Sequence, residues 1–199
     1  MKLIITEEQY RLIIENENGG KLFTIPTELI KDEEGIDKLF TLYHKTKSKK
    51  GWVGIKILGD LNLRIMNFDD TFHLFSLLPE IVYVKGNILL PEYDFDFDFN
   101  KLEYVGGSFR GHLTGEVLLP KLKKVMGFLS LSVSNLTSLP ELEYVGGGLN
   151  LRQTQISELP KLKYVGEAMS LMGTPFAKKT NREELRNKIQ VGGNILLWN

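Results

Sequence analysis

LPKLKKV (Leu119 to Val125), LPELEYV (Leu139 to Val145) and LPKLKYV (Leu159 to Val165) are three copies of one phrase, Leu-Pro-x-Leu-x-x-Val, set at a constant step along the chain. A fixed period of about 20 residues marks a solenoid, in which each unit buries its apolar edge only by stacking on its neighbours. FNKLEYVGG from Phe99 lies one such step before Leu119, and LPEIVYVKG from Leu78 precedes Phe99 by nearly the same step. At the N-terminal side ILGDLNLR (Ile57 to Arg64) matches VGGGLNLR (Val145 to Arg152), and at the C-terminal side VGGNILL (Val191 to Leu197) matches VKGNILL (Val84 to Leu90). The count is about seven coils. Period-two alternation places a short strand in each, starting near Leu61, Ile88, Phe109, Leu129, Leu149, Met169 and Ile195, with pairs such as Leu149 and Leu151 pointing inward.

Glycine and proline punctuate the coil. Val-Gly-Gly at Gly106 and Gly107, Gly146 and Gly147, and Gly192 and Gly193 marks the corner before each strand, where positive φ and close approach of neighbouring coils are expected. Pro79, Pro120, Pro140 and Pro160 follow leucine at the opposite corner, where a fixed φ suits a turn.

The phrase LP-x-L-x-x-V-G-G-x-L-x-L-x-x-T-x-I resembles the leucine-rich-repeat superfamily in a short-coil form, over residues 57 to 199. Thr154 with Ile156, and Thr174 with Phe176, continue it. The chain lacks the regular asparagine of that superfamily, and so short a coil leaves little room for outer helices. The resemblance implies a mainly β repeat solenoid.

Residues 1 to 56 fall outside the repeat and read as a small helical N-terminal cap. Thr6 and Gln9 have capping-box spacing before Tyr10, Leu12, Ile13 and Ile14, and a second helix is expected from Pro26 or Asp32 to Lys45, with Ile36, Leu39, Phe40 and Tyr43 on one side. Thr180 to Gln190 reads as a helix inserted before the last coil, capped by Thr180 with Glu183. It lengthens the step from Met169 to Ile195, as Phe68 to Leu77, read as a surface loop, lengthens that from Leu61 to Ile88. Cap and solenoid form one continuous unit. Chains that open with an ITEEQY helix and run into this repeat resemble repeat proteins of tailed bacteriophages, which implies an infected bacterial cell as the setting.

Composition describes one soluble chain: 199 residues, 42% apolar, no net charge and no cysteine. No stretch reaches the roughly 18 apolar residues of a bilayer span, and MKLIITEEQY does not read as a secretory signal. A cytoplasmic location is expected, and the absence of cysteine fits a reducing compartment.

Residues between the buried strand positions point outward as columns. One holds Asn62, Leu89, Arg110, Ser130, Asn150, Ser170 and Leu196. The next holds Arg64, Pro91, His112, Ser132, Arg152, Met172 and Trp198, and the preceding one includes Phe128, Gly148 and Ala168. Arg64, Arg110, His112 and Arg152 offer planar donors for carboxylate or phosphate, or else are solvated or paired with nearby acids. Phe128, Met172 and Trp198 offer apolar anchors of the kind found at interface cores, and Trp198 at the last strand allows an end-to-end dimer. Asn150 lies between these groups.

Tyr93 to Phe99 (YDFDFDF) alternates aromatics with acids, so an extended chain buries Tyr93, Phe95, Phe97 and Phe99 and displays Asp94, Asp96 and Asp98. The stripe lacks the glycine and terminal glutamate of a calcium loop, so a solvated edge is expected and no metal site. His44, His73 and His112 belong to no nucleophile or zinc spacing; only His112 with Glu116 suggests an acid/base pair. Zero net charge argues against nucleic acid, and the basic run His44 to Lys50 suits a helix C-terminus.

The reading is therefore a non-enzymatic module without cofactor that binds a protein through its strand face and inserted loops. With the bacteriophage resemblance the partner becomes a host protein, with counter-defence as one role. The alternative is sequestration of a small anionic ligand such as a nucleotide signal, held by the arginines or by Lys45 to Lys50. An enzyme of unknown type comes third.

Overall fold

The computed structural model describes residues 21–26, 33–65, 72–92, 95–112 and 115–197. The first helix expected above, together with Tyr93, Asp94 and Trp198, lies outside the described residues. The chain forms parallel-strand sheets with short helices, β-rich and repeat-like.

One sheet is built from Leu61–Asn62, Ile88–Leu89, Phe109–Arg110, Leu129–Ser130, Leu149–Asn150, Met169–Ser170 and Ile195–Leu196, paired in that order. Leu129 pairs with Leu149 and Leu149 with Met169, so the register repeats at the period of the sequence. The strands begin at the residues that alternation picks out. Their first residues are buried, and Leu90, Leu131, Leu151 and Leu171, two positions after a strand's first residue, are buried too.

A second parallel sheet was not foreseen. It runs Lys21–Ile25, Trp52–Ile57, Ile81–Val84, Tyr104–Val105, Lys124–Val125, Tyr144–Val145, Tyr164–Val165 and Gln190–Val191. In the repeats it is the Tyr-Val of the phrase: valine is fully buried and tyrosine or lysine faces out. The segment read as a helical cap therefore contributes two strands to this sheet as well as a helix. KLFTI and WVGIKI are rich in β-branched and aromatic residues, which suit a strand. A third pair, Phe97–Asp98 with Val117–Leu118, is parallel too.

The glycine corners work through space and not through φ. Positive φ occurs elsewhere, at Val133 (60°), Gln153 (57°) and Gly173 (72°), equivalent positions of successive coils. That conformation costs an L-residue about 1–2 kcal/mol. Gln153 is exposed, so Gln153→Gly sheds the strain at little packing cost and should raise stability by up to about 1 kcal/mol in urea titration, the gain being trimmed by glycine's larger unfolded-state entropy. A loss of stability would show that the corner is held by the glutamine side chain.

At the proline corners Leu122, Leu142 and Leu162 donate N–H to the carbonyls of Leu119, Leu139 and Leu159 at 3.4 Å, which places proline at the second position of a β-turn. Buried hydroxyls satisfy the other bend: Ser134, Thr154 and Thr174 donate to the carbonyls of Leu131, Leu151 and Leu171 at 2.8, 2.8 and 2.7 Å.

The helix Glu33–Lys50 runs past the expected end at Lys45 and takes in the basic run. The 68–77 insertion contains a helix, Phe72–Leu77, followed by a 3-10 turn over Leu78–Glu80. The C-terminal helix is Arg182–Lys188, and its N-cap is Asn181, whose Oδ1 accepts from Glu184 N at 2.9 Å. Thr180 instead donates its hydroxyl to the Glu184 carboxylate at 3.2 Å. Among the described residues no helix is long and apolar enough to cross a membrane.

Candidate functional site

Consecutive corners of the repeat read VMGF (Val125 to Phe128), VGGG (Val145 to Gly148) and VGEA (Val165 to Ala168). The middle corner carries no side chains after its valine while its neighbours carry Met126, Phe128 and Glu167, so stacking them leaves a depression. The sheet beside it bears the small outward residues Ser130, Asn150 and Ser170. Together they form an open groove of about 420 Å³ lined by Arg110, Phe128, Ser130, Gly148, Asn150, Glu167, Ala168 and Ser170, with Leu149 at its base.

Phe128 is 38% exposed. A Cβ on Gly148 would lie 3.2 Å from its ring and 3.1 Å from the Ala168 carbonyl, so the bare glycine lets the ring lie down. The Arg110 guanidinium carbon sits 5.2 Å from the ring centroid, an exposed cation–π contact of about 0.5–1 kcal/mol that orients the arginine. Asn150 is held from both sides: its Oδ1 accepts from Arg152 N at 3.2 Å and its Nδ2 donates to Ser130 Oγ at 3.4 Å. Arg110 and Glu167 have no ion-pair partner among the described residues.

Arg110, Phe128 and Asn150 are thus brought together, and the other candidates are not. Arg64 lies two strands from Arg110, with Nε donating to the Leu90 carbonyl at 2.9 Å and Nη2 3.8 Å from Glu92, so its fork is already engaged. His112 contacts Ser132 Oγ at 3.4 Å, not Glu116, whose backbone N–H goes to Asp96 Oδ1 at 2.7 Å. Arg152 is exposed on the outer column and its guanidinium has no partner among the described residues. Met172 is half-buried. Pro91 and Ser132, assigned to the outward column, are buried because the chain turns inward after each strand.

The acidic stripe is engaged locally. Asp98 accepts from the backbone and side-chain nitrogens of Asn100 at 3.0 and 2.9 Å, and Asp96 holds the Glu116 amide. Phe97 and Phe99 are buried, but Phe95 is 43% exposed, stacked on Phe75 at 6.1 Å, because strand alternation begins only at Phe97.

The opposite sheet displays a tyrosine column, legible in retrospect as the recurring Tyr of VYV, EYV and KYV. Tyr83 and Tyr104 stack at 4.8 Å and 4°, Tyr144 and Tyr164 at 4.8 Å and 7°, with Lys124 between the pairs. Burial, with Tyr104 beside it, raises the Tyr83 hydroxyl above its usual range. Each ring commits one face to its partner, so the column reads as a cross-strand packing device.

No family model, no curated protein and no solved structure matches this chain.

Proposed function

We propose that the chain is a leucine-rich-repeat-like solenoid of seven coils and a non-enzymatic protein-interaction module, with the strand face around Arg110 as its binding surface. Its setting is the cytoplasm of a bacterium, its origin a bacteriophage and its partner a host protein. One observation carries the binding reading: the groove combines an oriented arginine, a half-exposed aromatic ring and small polar residues on a rigid sheet. Interfaces are enriched in aromatic and arginine anchors, and regular strands hold them in place without ordering cost on binding.

A small anionic ligand is the weaker reading, favoured by the guanidinium groups of Arg110 and Arg152, which have no ion-pair partner among the described residues, and opposed by Glu167, whose charge repels an anion within the same groove.

The test is affinity capture from bacterial lysate with wild type beside the Arg110→Glu/Arg152→Glu double variant. Both arginines are exposed, so stability should fall by less than about 1 kcal/mol while the retained protein is lost. Equal retention by both chains would reject this face. A ligand-induced thermal shift with nucleotides, and no protein capture, would replace the reading with the anionic ligand.

A further inference from the structure

Resting on that reading, we infer the chemistry of the partner segment: a short extended peptide lying across the strands, acidic at one end, basic at the other and apolar between. Arg110, Ser130, Asn150 and Ser170 occupy one register on successive strands. At about 4.8 Å per strand the groove is roughly 14 Å long, the span of about five extended residues. Arg110 stands at one end and Glu167, from the corner before Ser170, at the other.

Both charges lack an ion-pair partner among the described residues, and a dipolar segment satisfies both at once. A free anion or a polyanion satisfies Arg110 and meets Glu167 unfavourably. Between them the Phe128 ring lies over the buried Gly148 and, with the exposed Ala168, offers an apolar surface to an aliphatic side chain. The hydroxyls of Ser130 and Ser170 and the Asn150 amide line the path as partners for peptide N–H and C=O groups.

The experiment titrates the full chain, by heteronuclear NMR, with three capped pentapeptides: Asp-Ala-Leu-Ala-Lys, Asp-Ala-Leu-Ala-Asp and Lys-Ala-Leu-Ala-Lys. Wild type should bind the dipolar peptide about fivefold more tightly than either like-charged one, with shifts centred on Ser130, Asn150 and Ser170. Glu167→Lys should move the preference to the Asp/Asp peptide, and Arg110→Glu should move it to the Lys/Lys peptide. Equal affinities, unchanged preference in the variants, no binding of any peptide, or tighter binding of a single-stranded oligonucleotide would each overturn the inference. If lysate capture is still lost on reversing Arg110 and Arg152 while these peptides show no preference, only the dipolar segment fails. If capture is insensitive as well, the binding face itself fails.

Discussion

Gly166→Ala should be among the most damaging single changes in this chain, costing at least about 3 kcal/mol and lowering the melting temperature by roughly 10 °C. A Cβ built on Gly166 falls 1.9 Å from the carbonyl oxygen of Gly146, the equivalent residue of the preceding coil. The Cβ position is fixed by the backbone and the oxygen belongs to it, so no rotamer change relieves the clash; the two coils must separate. Separation stretches Gly166 N to Val145 O, now 2.9 Å, and Glu167 N to Gly147 O, now 3.2 Å, and loosens the Tyr144–Tyr164 stack beside them. Because stacked repeats are stabilised chiefly by their nearest-neighbour interfaces, a gap at one interface uncouples the repeats on either side. The matched control is Gly51→Ala. Gly51 has φ +68° and nothing within 4 Å of its would-be Cβ, so that change costs only the strain of about 1–2 kcal/mol. Equal losses for the two variants in urea titration would refute the steric account.

The same corner shows why sequence reading succeeded for one sheet and missed the other. The strands from Leu61 to Leu196 are announced by alternating apolar residues, a glycine corner before them and a fixed step, so pattern and punctuation agree. Strands of both sheets are two residues long in the repeats, but the apolar alternation of the first continues past its strands to Leu131, Leu151 and Leu171, whereas each Tyr-Val strand has one buried residue. Their signal is a buried valine that the repeat phrase also explains as a corner. Of the two reasons the sequence offers for the glycine corners, close approach holds and positive φ does not; the sites with positive φ, Val133 and Gln153, carry ordinary side chains and give no compositional signal.

The groove was half legible. Arg110, Phe128 and Asn150 follow from column arithmetic. Glu167 appears only as a departure from the repeat, VGE where another copy reads VGG, and the seat of the Phe128 ring over Gly148 emerges only when neighbouring corners are stacked. The masking of Arg64 by Leu90 and Glu92 had no sequence signal, since both partners sit in the following coil.

Glu80→Ala should cost about 3 kcal/mol at neutral pH, and the cost should vanish in acid. Glu80 ends the 3-10 turn after the 72–77 helix, and its carboxylate joins three parts of the chain. Tyr43 of the helix Glu33–Lys50, fully buried, donates its hydroxyl to Oε2 at 2.6 Å; Lys101 reaches Oε2 at 2.8 Å and the Val53 carbonyl at 3.3 Å; Lys47 reaches Oε1 at 2.9 Å. Burial alone would raise the carboxyl, but hydrogen bonds from Lys101, Tyr43 and Lys47 outweigh it and hold the group at about 2, against an ordinary 4.5. Burial and the same carboxylate push the Tyr43 hydroxyl well above its usual range, so it stays a donor throughout. A group depressed in the folded state stabilises above its unfolded value and stops doing so as pH falls through its folded one. The difference between 4.5 and about 2 corresponds to about 3 kcal/mol, present above pH 4.5, less than half retained at pH 3 and gone below pH 2. Wild type and variant should therefore differ most at pH 7 and converge in acid, in urea titrations followed by circular dichroism. Tyr43→Phe, which removes one donor and leaves both lysines, should cost about 1 kcal/mol. A Glu80→Ala deficit that is the same at pH 7 and pH 3 would show that the residue acts through packing, and that the helix Glu33–Lys50 is held to the sheets by its apolar face alone.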